Sequence, residues 1–281
     1  MRLLVTGATG RVGSRLVPRL LERGDTVRVL LRSHEQAESF RKLGAEVAVG
    51  DLRQPDTLAQ AVAGVSAVVH LAAFFRGATE AEARAANYEG TLALAHAARQ
   101  AGASKFIYIS TNLVYGPGRG RPIREDDEPR PPSDHFYPIT KLAAERALAQ
   151  FYQDQAVALC ILRLAFVYGD GDPHLSEVVN LARSWPPAKR LHVVHHADVA
   201  QGIMLSLDKL EAGGQIYNVA DDTPMPISEI RQMSGLTEPS TPDSEVADPW
   251  EGIVDTAKIK TQLGFRPIYP SINAAEQAAA L

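Results

Sequence analysis

The amino-acid sequence predicts an α/β fold in which a doubly wound parallel sheet carries a smaller C-terminal lobe. In the first part of the chain, short apolar runs alternate with longer segments of helical periodicity. The runs are apolar on both faces, as is typical of parallel strands covered by helices on both sides. Beyond Gly169 the runs become shorter and prolines more frequent, which indicates a separate lobe.

Strands and helices alternate in order along this first part. The predicted strands span residues 3–6, 26–31, 45–49, 67–71, 105–110 and 157–164. The predicted helices span residues 11–23, 35–43, 56–63, 80–101 and 138–153, and most of them stop at a glycine. Residues 112–136, rich in glycine, proline and charge, are predicted to form a long loop, and residues 215–219 a strand that returns to the sheet.

The composition is that of an ordinary globular protein: of 281 residues, 45% are hydrophobic and 22% charged, and the formal net charge is −4. This mild acidity offers no overall electrostatic surface for nucleic acid, and no apolar run is long enough to span a membrane. The single cysteine, Cys160, excludes an internal disulfide, and the N-terminus lacks the apolar core of a signal peptide, so we expect a cytoplasmic protein. We expect no metal site, even at His192, His195 and His196.

A glycine-rich turn joins the first predicted strand to the first helix. Gly7 permits a tight turn, Gly10 the close approach of a pyrophosphate, and Gly13 the close packing of the helix on the sheet. The helix N-terminus adds unpaired N–H groups and a partial positive charge. In this context the turn predicts a dinucleotide-binding site, the alternative being an ordinary glycine-rich turn. To the same site we assign the other residues of the turn, Thr9, Arg11 and Val12.

The end of the second predicted strand bears on the choice between NAD and NADP. An acidic residue there would bind the 2′-hydroxyl of NAD, but the sequence has Arg32, which would pair with the 2′-phosphate of NADP. We therefore predict NADP in preference to NAD; the alternatives are a surface arginine or one that stacks on the adenine. Asp51 and Leu52, which follow the third strand, are predicted to meet the adenine, unless Asp51 only caps a turn.

Tyr137 and Lys141 are four residues apart at the start of a predicted helix, so they lie on one face, one turn apart. A tyrosine has a pKa of about 10 and is a poor base at neutral pH. A lysine cation ~4 Å away, at an effective dielectric of ~20, contributes about 4 kcal/mol, which would lower that pKa by up to ~3. We therefore predict that Tyr137 acts as a general acid or base assisted by Lys141. Taken alone the spacing is common, and the alternative is a solvated surface pair.

These and further motifs resemble those of the extended short-chain dehydrogenase/reductase family, in its epimerase/dehydratase group. The matches are G-x-x-G-x-x-G at 7–13, H-L-A-A at 70–73, N-x-x-G-T at 87–91, S-[ST]-x-x-V-Y-G at 110–116, Y-x-x-x-K at 137–141, L-R-x-x-x-V-Y-G at 162–169 and a C-terminal signature at 255–267. They cover almost the whole chain. Within such a Rossmann fold we assign residues 1–168 with 192–220 to the dinucleotide-binding domain, and residues 169–191 with 221–281 to a small substrate-binding lobe.

The resemblance also implies roles for single residues. Thr111 is expected to bind the substrate oxygen, with Ser110 as the competing hydroxyl, while Tyr137 transfers the proton and Lys141 also binds the nicotinamide ribose. The remaining residues expected at the cofactor are Leu71, Ala72, Ala73, Asn87 and Ala165. Many family members form a homodimer through the long helix and the tyrosine-bearing helix. The alanine-rich face at 93–98 permits this, although a helix packed on its own sheet has the same composition.

The implied reaction is hydride transfer at a hydroxyl or carbonyl carbon of a nucleotide sugar or a similar small molecule, by an NAD(P)-dependent reductase or epimerase. Asn112 and Leu113 stand where sugar dehydratases have an acidic pair, so dehydration is disfavoured. The short stretch at 169–195 indicates a smaller substrate or a trimmed lobe. The alternative function is a non-catalytic NAD(P) sensor that binds a partner protein. Candidates for holding a diphosphate are Asn180, Arg183 and Arg190.

Overall fold

A seven-stranded, fully parallel sheet forms the centre of the molecule and confirms the predicted fold class. The computed structural model describes residues 1–75, 77, 79–153, 156–209, 211, 213–233 and 246–281. The strands are β1 Arg2–Thr6, β2 Thr26–Leu31, β3 Glu46–Val49, β4 Ala67–His70, β5 Lys105–Thr111, β6 Ala158–Leu164, β7 Phe166–Tyr168, β8 Arg190–Leu191, β9 Val193–His195, β10 Gly213–Val219 and β11 Met225–Pro226. The sheet order is β10-β6-β5-β4-β1-β2-β3, so β10 returns to the sheet as predicted.

Helices cover both faces of this sheet. They are α1 Arg11–Glu22, α2 Ala37–Lys42, α3 Leu58–Val62, α4 Glu80–Arg84, α5 Gly90–Gln100, α6 Phe136–Tyr152, α7 His174–Leu181, α8 His196–Lys209, α9 Ile227–Met233, α10 Ala257–Leu263 and α11 Ile272–Gln277. Short 3-10 turns lie at Pro55–Thr57, Asn112–Tyr115 and Ala182–Ser184. No helix in the described ranges is both long and apolar enough to cross a bilayer.

The long helix predicted at 80–101 is interrupted by a single π turn at Ala85–Glu89, which separates α4 from α5. Thr79 caps α4, since its hydroxyl accepts the backbone N–H of Glu82, and the Glu82 carboxylate accepts the N–H of Thr79. The π turn inserts an extra residue and so reorients the side chains around it. It turns Asn87 into the protein interior, where that side chain is fully buried.

Side chains alternate between the two faces of the sheet and divide the core in two. On one face, Ile107 and Ile109 of β5 pack in a cluster with side chains of α1 and α8. On the other face, Phe106 and Tyr108 pack with α3, α5 and α6. Ala95 and Ala98 belong to the second cluster, so this part of the alanine-rich face packs against its own sheet.

A third, smaller apolar cluster lies in the C-terminal part. Tyr168 and Val193 pack there with residues of α7, α9 and α11. The strand pairs β7–β9 and β8–β11 border the cluster and are separate from the main sheet. The division of the chain into a main domain and a substrate lobe stays a prediction, which this separate cluster supports.

Candidate active site

The glycine turn between β1 and α1 has no room for side chains. Gly7 has a φ of +70°, and a Cβ there would lie 2.6 Å from the backbone nitrogen of Ala72. A Cβ at Gly13 would lie 2.2 Å from the carbonyl oxygen of Gly7. Gly10 stands at the N-cap of α1 and offers no side-chain cap to the N–H groups of the first turn. The backbone therefore forms a cradle whose first-turn N–H groups are not capped by a side chain in the described part of the protein, which fits the pyrophosphate of a dinucleotide.

Two adjoining cavities open at the carboxyl ends of the strands, the expected place for a ligand in this topology. Among the predicted residues, the smaller cavity, of about 510 Å³, is lined by Gly7, Thr9, Gly10, Arg32, Asp51, Leu52 and Ala72. The larger, of about 730 Å³, is lined by Arg11, Val12, Thr111, Tyr137, Lys141 and Ala165. Leu71 and Ala73 line both cavities and so join them into one cleft. Gly13 and Asn87 line neither cavity.

The smaller cavity ends beside two arginines. Arg32 is exposed at the end of β2, on the wall of the cavity. The carboxylate of Asp51 accepts a hydrogen bond of 2.7 Å from the guanidinium of Arg53 and another from its backbone N–H. The Arg53 hydrogen bond is the main reason why the pKa of Asp51 lies below its usual value. Asp51 therefore stays ionised and already paired at the predicted adenine end.

Arg11 follows the phosphate turn, but its guanidinium is bound by the C-terminal part of the chain. It donates to the carboxylate of Asp172 at 2.7 Å and to that of Glu177 at 2.8 Å. Along the same helix, Arg15 donates to the carbonyl oxygen of Asp170 and Arg19 to its carboxylate. Arg11 also lines the larger cavity, so its assignment to the cofactor stays a prediction, while in this structure its side chain ties α1 to the segment before and within α7.

Asn87, also assigned to the cofactor, instead fixes the chain after β4. The amide oxygen of Asn87 accepts the N–H of Phe74 at 2.7 Å. Its NH₂ group donates to the carbonyl oxygen of Phe74 at 2.9 Å and to the hydroxyl of Thr140 at 3.1 Å. Both ends of the amide are used within the protein, which supports a positioning role, and the expected direct contact with the cofactor stays a prediction. Asn87 holds the segment that carries Ala72 and Ala73 along the cleft.

A buried histidine that the sequence analysis did not single out supports the same segment. Nδ1 of His70 lies 2.6 Å from the hydroxyl of Thr6, and this hydroxyl also accepts the N–H of Ala72. On the other side of the ring, Nε2 of His70 lies 2.8 Å from the hydroxyl of Thr91. The hydroxyl of Thr91 donates its own proton to a backbone carbonyl, so towards His70 it acts as the acceptor. The proton of the His70 ring is therefore on Nε2. Burial and then the charge of Lys141 lower the pKa of His70 to about 3, and the ring is neutral.

Tyr137 and Lys141 lie on the first turns of α6 and both face the larger cavity. Lys141 is 1% exposed, and its ammonium lies 4.0 Å from the ring centroid of Tyr108. Burial lowers the pKa of Lys141 to about 7, and the charge of Glu145 opposes this only in part. Burial also raises the pKa of Tyr137, so the predicted lowering is wrong for the protein alone. The physical reason is that Lys141 has left water while Tyr137 is half-buried, and the lysine itself is only partly charged near neutral pH.

Two hydroxyls end β5 at the same cavity. The hydroxyl of Thr111 accepts the backbone N–H of Leu113 at 3.2 Å and thereby caps the 3-10 turn at Asn112–Tyr115. Ser110 is 3% exposed, and its hydroxyl has no hydrogen-bond partner within the part of the chain that the structure describes. The side chain of Asn112 donates to the carbonyl oxygen of Gly252, across to the C-terminal part.

An aromatic wall, whose residues Phe75 and Phe166 the sequence analysis missed, lines the rest of the larger cavity. Phe75 packs edge-on against Tyr137, with ring centroids 4.7 Å apart. Phe166 stacks on His174 at 4.0 Å, and Trp185 completes the wall. The available signal was an aromatic residue two positions after the H-L-A-A segment at 70–73 and another within the L-R-x-x-x-V-Y-G segment at 162–169.

Two cations that line this cavity, Lys189 and Arg190, are already engaged. Lys189 lies over the ring of Trp185 and 3.2 Å from the carboxylate of Glu251. Arg190, one of the diphosphate candidates, lies over the ring of Trp250 and donates to a backbone carbonyl. Asn180 does not line the cavity, and the Arg183 side chain lies outside the described residues.

The three histidines at 192–196 have structural partners. Nε2 of His192 lies 3.1 Å from a backbone carbonyl, and Nδ1 accepts the N–H of Val254. His195 pairs through Nε2 with the carbonyl of Ala280, and His196 through Nε2 with the carboxylate of Asp172. These bonds join β9 and the start of α8 to the C-terminal part of the chain.

Comparison with known proteins gives one family and several relatives. The model of the NAD dependent epimerase/dehydratase family matches residues 3–220. The chain is 33% identical to a 4-hydroxy-2-methyl-3-oxo-4-farnesyl-3,4-dihydroquinoline-1-oxide ketoreductase of Stigmatella aurantiaca, over 100% of this chain and 80% of the relative. It is 32% identical to a 3-beta-hydroxysteroid dehydrogenase of Mycolicibacterium neoaurum, over 82% of this chain and 68% of the relative.

Solved structures similar to this chain agree with the family that the sequence comparisons give. A short-chain dehydrogenase/reductase superfamily protein from Agrobacterium tumefaciens with bound NAD has a TM-score of 0.81 and 27% identity, covering 99% of this chain and 96% of the other. UDP-glucose 4-epimerase of Thermus thermophilus, in complex with NAD, has a TM-score of 0.75 and 27% identity, covering 95% and 94%. With its Rossmann sheet and glycine cradle, the chain belongs to the NAD dependent epimerase/dehydratase family and is an NAD(P)-dependent enzyme of the extended short-chain dehydrogenase/reductase type.

Proposed function

We propose that this protein interconverts a ketone and a secondary alcohol on an apolar, ring-containing small molecule. One observation carries the proposal: Tyr137 and Lys141 open onto a cavity walled by Phe75, Phe166 and Trp185. A cavity of this kind favours flat apolar ligands, which such rings hold by burial and stacking. The ketoreductase and steroid dehydrogenase named above point to the same class of substrate.

The chain supplies the groups that bind the carbonyl and move the proton. The nicotinamide cofactor, when bound, supplies the hydride for reduction and accepts it in oxidation. Because burial keeps Tyr137 protonated, its phenol donates a proton to the carbonyl oxygen as that carbon is reduced. The charged form of Lys141 then stabilises the phenolate that remains. The resemblance assigns Thr111 the hydrogen bond to the same oxygen.

Nucleotide-sugar epimerisation is the second candidate, favoured by the structural similarity to UDP-glucose 4-epimerase. A diphosphate needs cations with free donors. Here Lys189 is paired with Glu251, and Arg190 lies on an indole ring. This engagement of the cations supports the apolar substrate over the nucleotide sugar.

Dehydration receives less support. A dehydratase needs a further acid and base beside the hydroxyl at the end of β5. Asn112 and Leu113 stand there, and the amide of Asn112 donates to the carbonyl of Gly252. A neutral amide and an alkyl side chain cannot exchange a proton with the substrate.

The cofactor would lie along the joined cleft, with its pyrophosphate on the cradle of Gly7 and Gly10. We propose that Arg32 makes the enzyme prefer NADP, because this exposed guanidinium on the cavity wall would pair with the 2′-phosphate. The similar solved structures carry NAD, so both cofactors belong in every assay.

The test is reduction of 1-tetralone, cyclohexanone and a 3-oxosteroid with NADH and with NADPH, alongside epimerisation of UDP-glucose. We expect reduction of the ketones and no change in the sugar. Tyr137→Phe should lower kcat by at least about 1000-fold while leaving cofactor affinity within about 2-fold, since only the proton donor is lost. Turnover of UDP-glucose without ketone reduction would favour the epimerase. Absence of hydride transfer to every probe would refute the proposal.

A further inference from the structure

Trp185 is an aromatic side chain that the fold holds in place on the wall of the larger cavity. The indole lines this cavity, is half-buried and packs against the third apolar cluster. The ammonium of Lys189 lies over the ring, 4.7 Å from its centroid, and is itself bound to the carboxylate of Glu251. A cation over an indole favours one placement of the ring. The indole is therefore held in position while part of it stays open to the cavity.

The backbone around Trp185 is constrained as well. Pro186 and Pro187 follow it, and a proline fixes its own φ and restricts the residue before it. The N–H of Trp185 donates to the carbonyl oxygen of Ala182, while the carbonyls of Pro187 and Lys189 accept N–H groups from the first two residues of α9. The indole thus stands on a backbone that is already ordered, so little entropy is lost when a ligand contacts it.

Arg231 of α9 holds the same turn through its side chain. Arg231 is buried, and one NH₂ group of its guanidinium donates to the backbone carbonyls of Ala182 and Trp185. A charged group is costly to bury unless its donors are hydrogen-bonded. Both of these acceptors belong to the turn that carries the indole, so Arg231 determines where the indole stands.

The aromatic wall runs from the proton donor into the C-terminal part of the chain. Phe75 lies 4.7 Å from Tyr137 and 6.3 Å from His174, measured between ring centroids. His174 in turn stacks on Phe166, and both Phe166 and Trp185 pack against the third apolar cluster. Several rings thus lead from Tyr137 to the cluster that carries Trp185. A ligand whose carbonyl lies at Tyr137 would meet Trp185 with a part remote from the reacting carbon.

The larger cavity offers more space than one ring needs. Its volume of about 730 Å³ falls within the range of sites that enclose drug-sized ligands, about 300 to 1,000 Å³. A ketone with a single six-membered ring, bound at Tyr137, would leave the end beside Trp185 to water. A ketone with further fused rings would cover the indole there and gain by burial and by stacking.

We propose that Trp185 determines the specificity of this site by holding the ring of a fused multi-ring ketone that lies farthest from the carbonyl, and that Arg231 is the positioning residue of this indole. The inference rests on the proposed ketone reduction and narrows its substrate class to molecules of two or more fused rings. Neither residue takes part in the transfer of hydride or proton. Trp185 therefore governs the KM of multi-ring ketones and leaves kcat unchanged.

A purely structural role for Trp185 makes a different prediction. If the indole only packed against the third apolar cluster, its loss would lower the melting temperature and affect all ketones alike. Trp250 provides the matched control, because it too is half-buried and has a cation, that of Arg190, 4.7 Å from its ring centroid. Trp250 is not among the described residues that line the larger cavity.

The experiment compares three ketones whose carbonyls are all unconjugated: cyclohexanone, 2-tetralone with a fused aromatic ring, and 2-decalone with a fused saturated ring. The full chain is assayed for kcat, KM and melting temperature with saturating NADPH or NADH. We expect the wild type to favour 2-tetralone over cyclohexanone by about 100-fold in kcat/KM, through burial of the second ring.

Trp185→Ala should raise the KM for 2-tetralone about 10-fold or more, and that for 2-decalone less, with kcat and the KM for cyclohexanone within about 2-fold of wild type. Trp185→Phe should recover most of the loss, and Trp250→Ala should leave the preference among the ketones unchanged. The specificity inference is overturned if Trp185→Ala affects the three ketones equally, changes only the melting temperature, or is matched in its effect by Trp250→Ala.

Arg231→Met removes the donors and keeps a long side chain, so it should raise the KM for 2-tetralone by about 3- to 10-fold and spare cyclohexanone, with a smaller effect for Arg231→Lys. Arg231 variants that change only the melting temperature, or that do not fold, show that Arg231 serves the fold alone and overturn its positioning role. A wild-type enzyme inactive on every ketone refutes the proposed function. A wild type that reduces cyclohexanone as efficiently as 2-tetralone refutes only this inference.

Discussion

Replacing Lys141 by methionine is expected to stabilise the folded chain at neutral and acidic pH, although it removes a residue of the proposed catalytic set. Lys141 is 1% exposed, and burial lowers its pKa from 10.5 to about 7. Each pKa unit is worth about 1.4 kcal/mol, so holding the charged lysine in the fold costs up to about 5 kcal/mol. Methionine has a similar shape and carries no charge. The contact of the ammonium with the Tyr108 ring offsets part of the gain, by about 1 to 2 kcal/mol.

The sign of the pH dependence follows from proton linkage. Between about pH 7 and 10.5 the unfolded chain holds the lysine proton and the folded chain does not, so the stability of the wild type rises with pH across this window. Below about pH 7 both states are protonated, and the cost of burying the charge is fully present. The advantage of Lys141→Met is therefore constant below about pH 7 and shrinks as the pH rises toward 10.5.

Urea unfolding at about pH 6 and about pH 9 measures this advantage, which we expect to be about 2 to 4 kcal/mol at the lower pH and clearly smaller at the higher. The matched control is Lys42→Met, because the side chain of Lys42 is 75% exposed and its removal should show no such trend. An advantage for Lys141→Met that is absent, or equal at both pH values, would refute the reasoning.

Three further changes test other parts of the cleft. Arg32→Ser should raise the Kd of NADPH about 10-fold or more and that of NADH by less than about 2-fold. The control is Arg53→Ser: Arg53 is bound to a carboxylate, so its loss should affect NADH and NADPH alike. Equal effects of Arg32→Ser on both cofactors would speak against a 2′-phosphate site. Glu177→Gln should tighten the binding of NADH a few-fold in a fluorescence titration, because Arg11 loses a competing carboxylate; unchanged or weaker binding would contradict this. Asn87→Ala should lower the free energy of unfolding by about 1 to 3 kcal/mol and weaken the binding of NADH, since it frees the segment after β4; a fully stable variant would be inconsistent with the positioning role.

The order of strands and helices was predictable because the glycines that mark helix ends in the sequence have the backbone geometry that ends those helices in the structure. Gly24, Gly44, Gly64 and Gly102 follow the early helices, and all four have positive φ, which side chains disfavour. Apolar runs between them can only be strands of a sheet buried on both faces. The π turn at Ala85–Glu89 had no such signal, since its residues fit a regular helix equally well.

The parts of the site that escaped prediction depend on contacts between distant residues. The sequence could not show that the fold brings Asp172 and Glu177, more than 150 residues away, to the guanidinium of Arg11. The Tyr-x-x-x-Lys spacing located Tyr137 and Lys141 correctly on one helix face. It carried no information on how deeply each is buried, and burial decides the direction of both pKa changes.

These two pKa changes together couple the proposed reaction to a proton from solvent. With Tyr137 held neutral and Lys141 titrating near pH 7, proton transfer to a ketone leaves a phenolate beside the lysine, which favours the charged lysine. His70 is neutral throughout and competes for no proton. We therefore expect kcat/KM for reduction to fall as the pH rises through about 7. Glu145→Gln should move this fall to lower pH, because Glu145 raises the pKa of Lys141 and also neutralises Arg163. A profile that is flat through this range, or one that Glu145→Gln leaves in place, would show that the charge of Lys141 does not control the step.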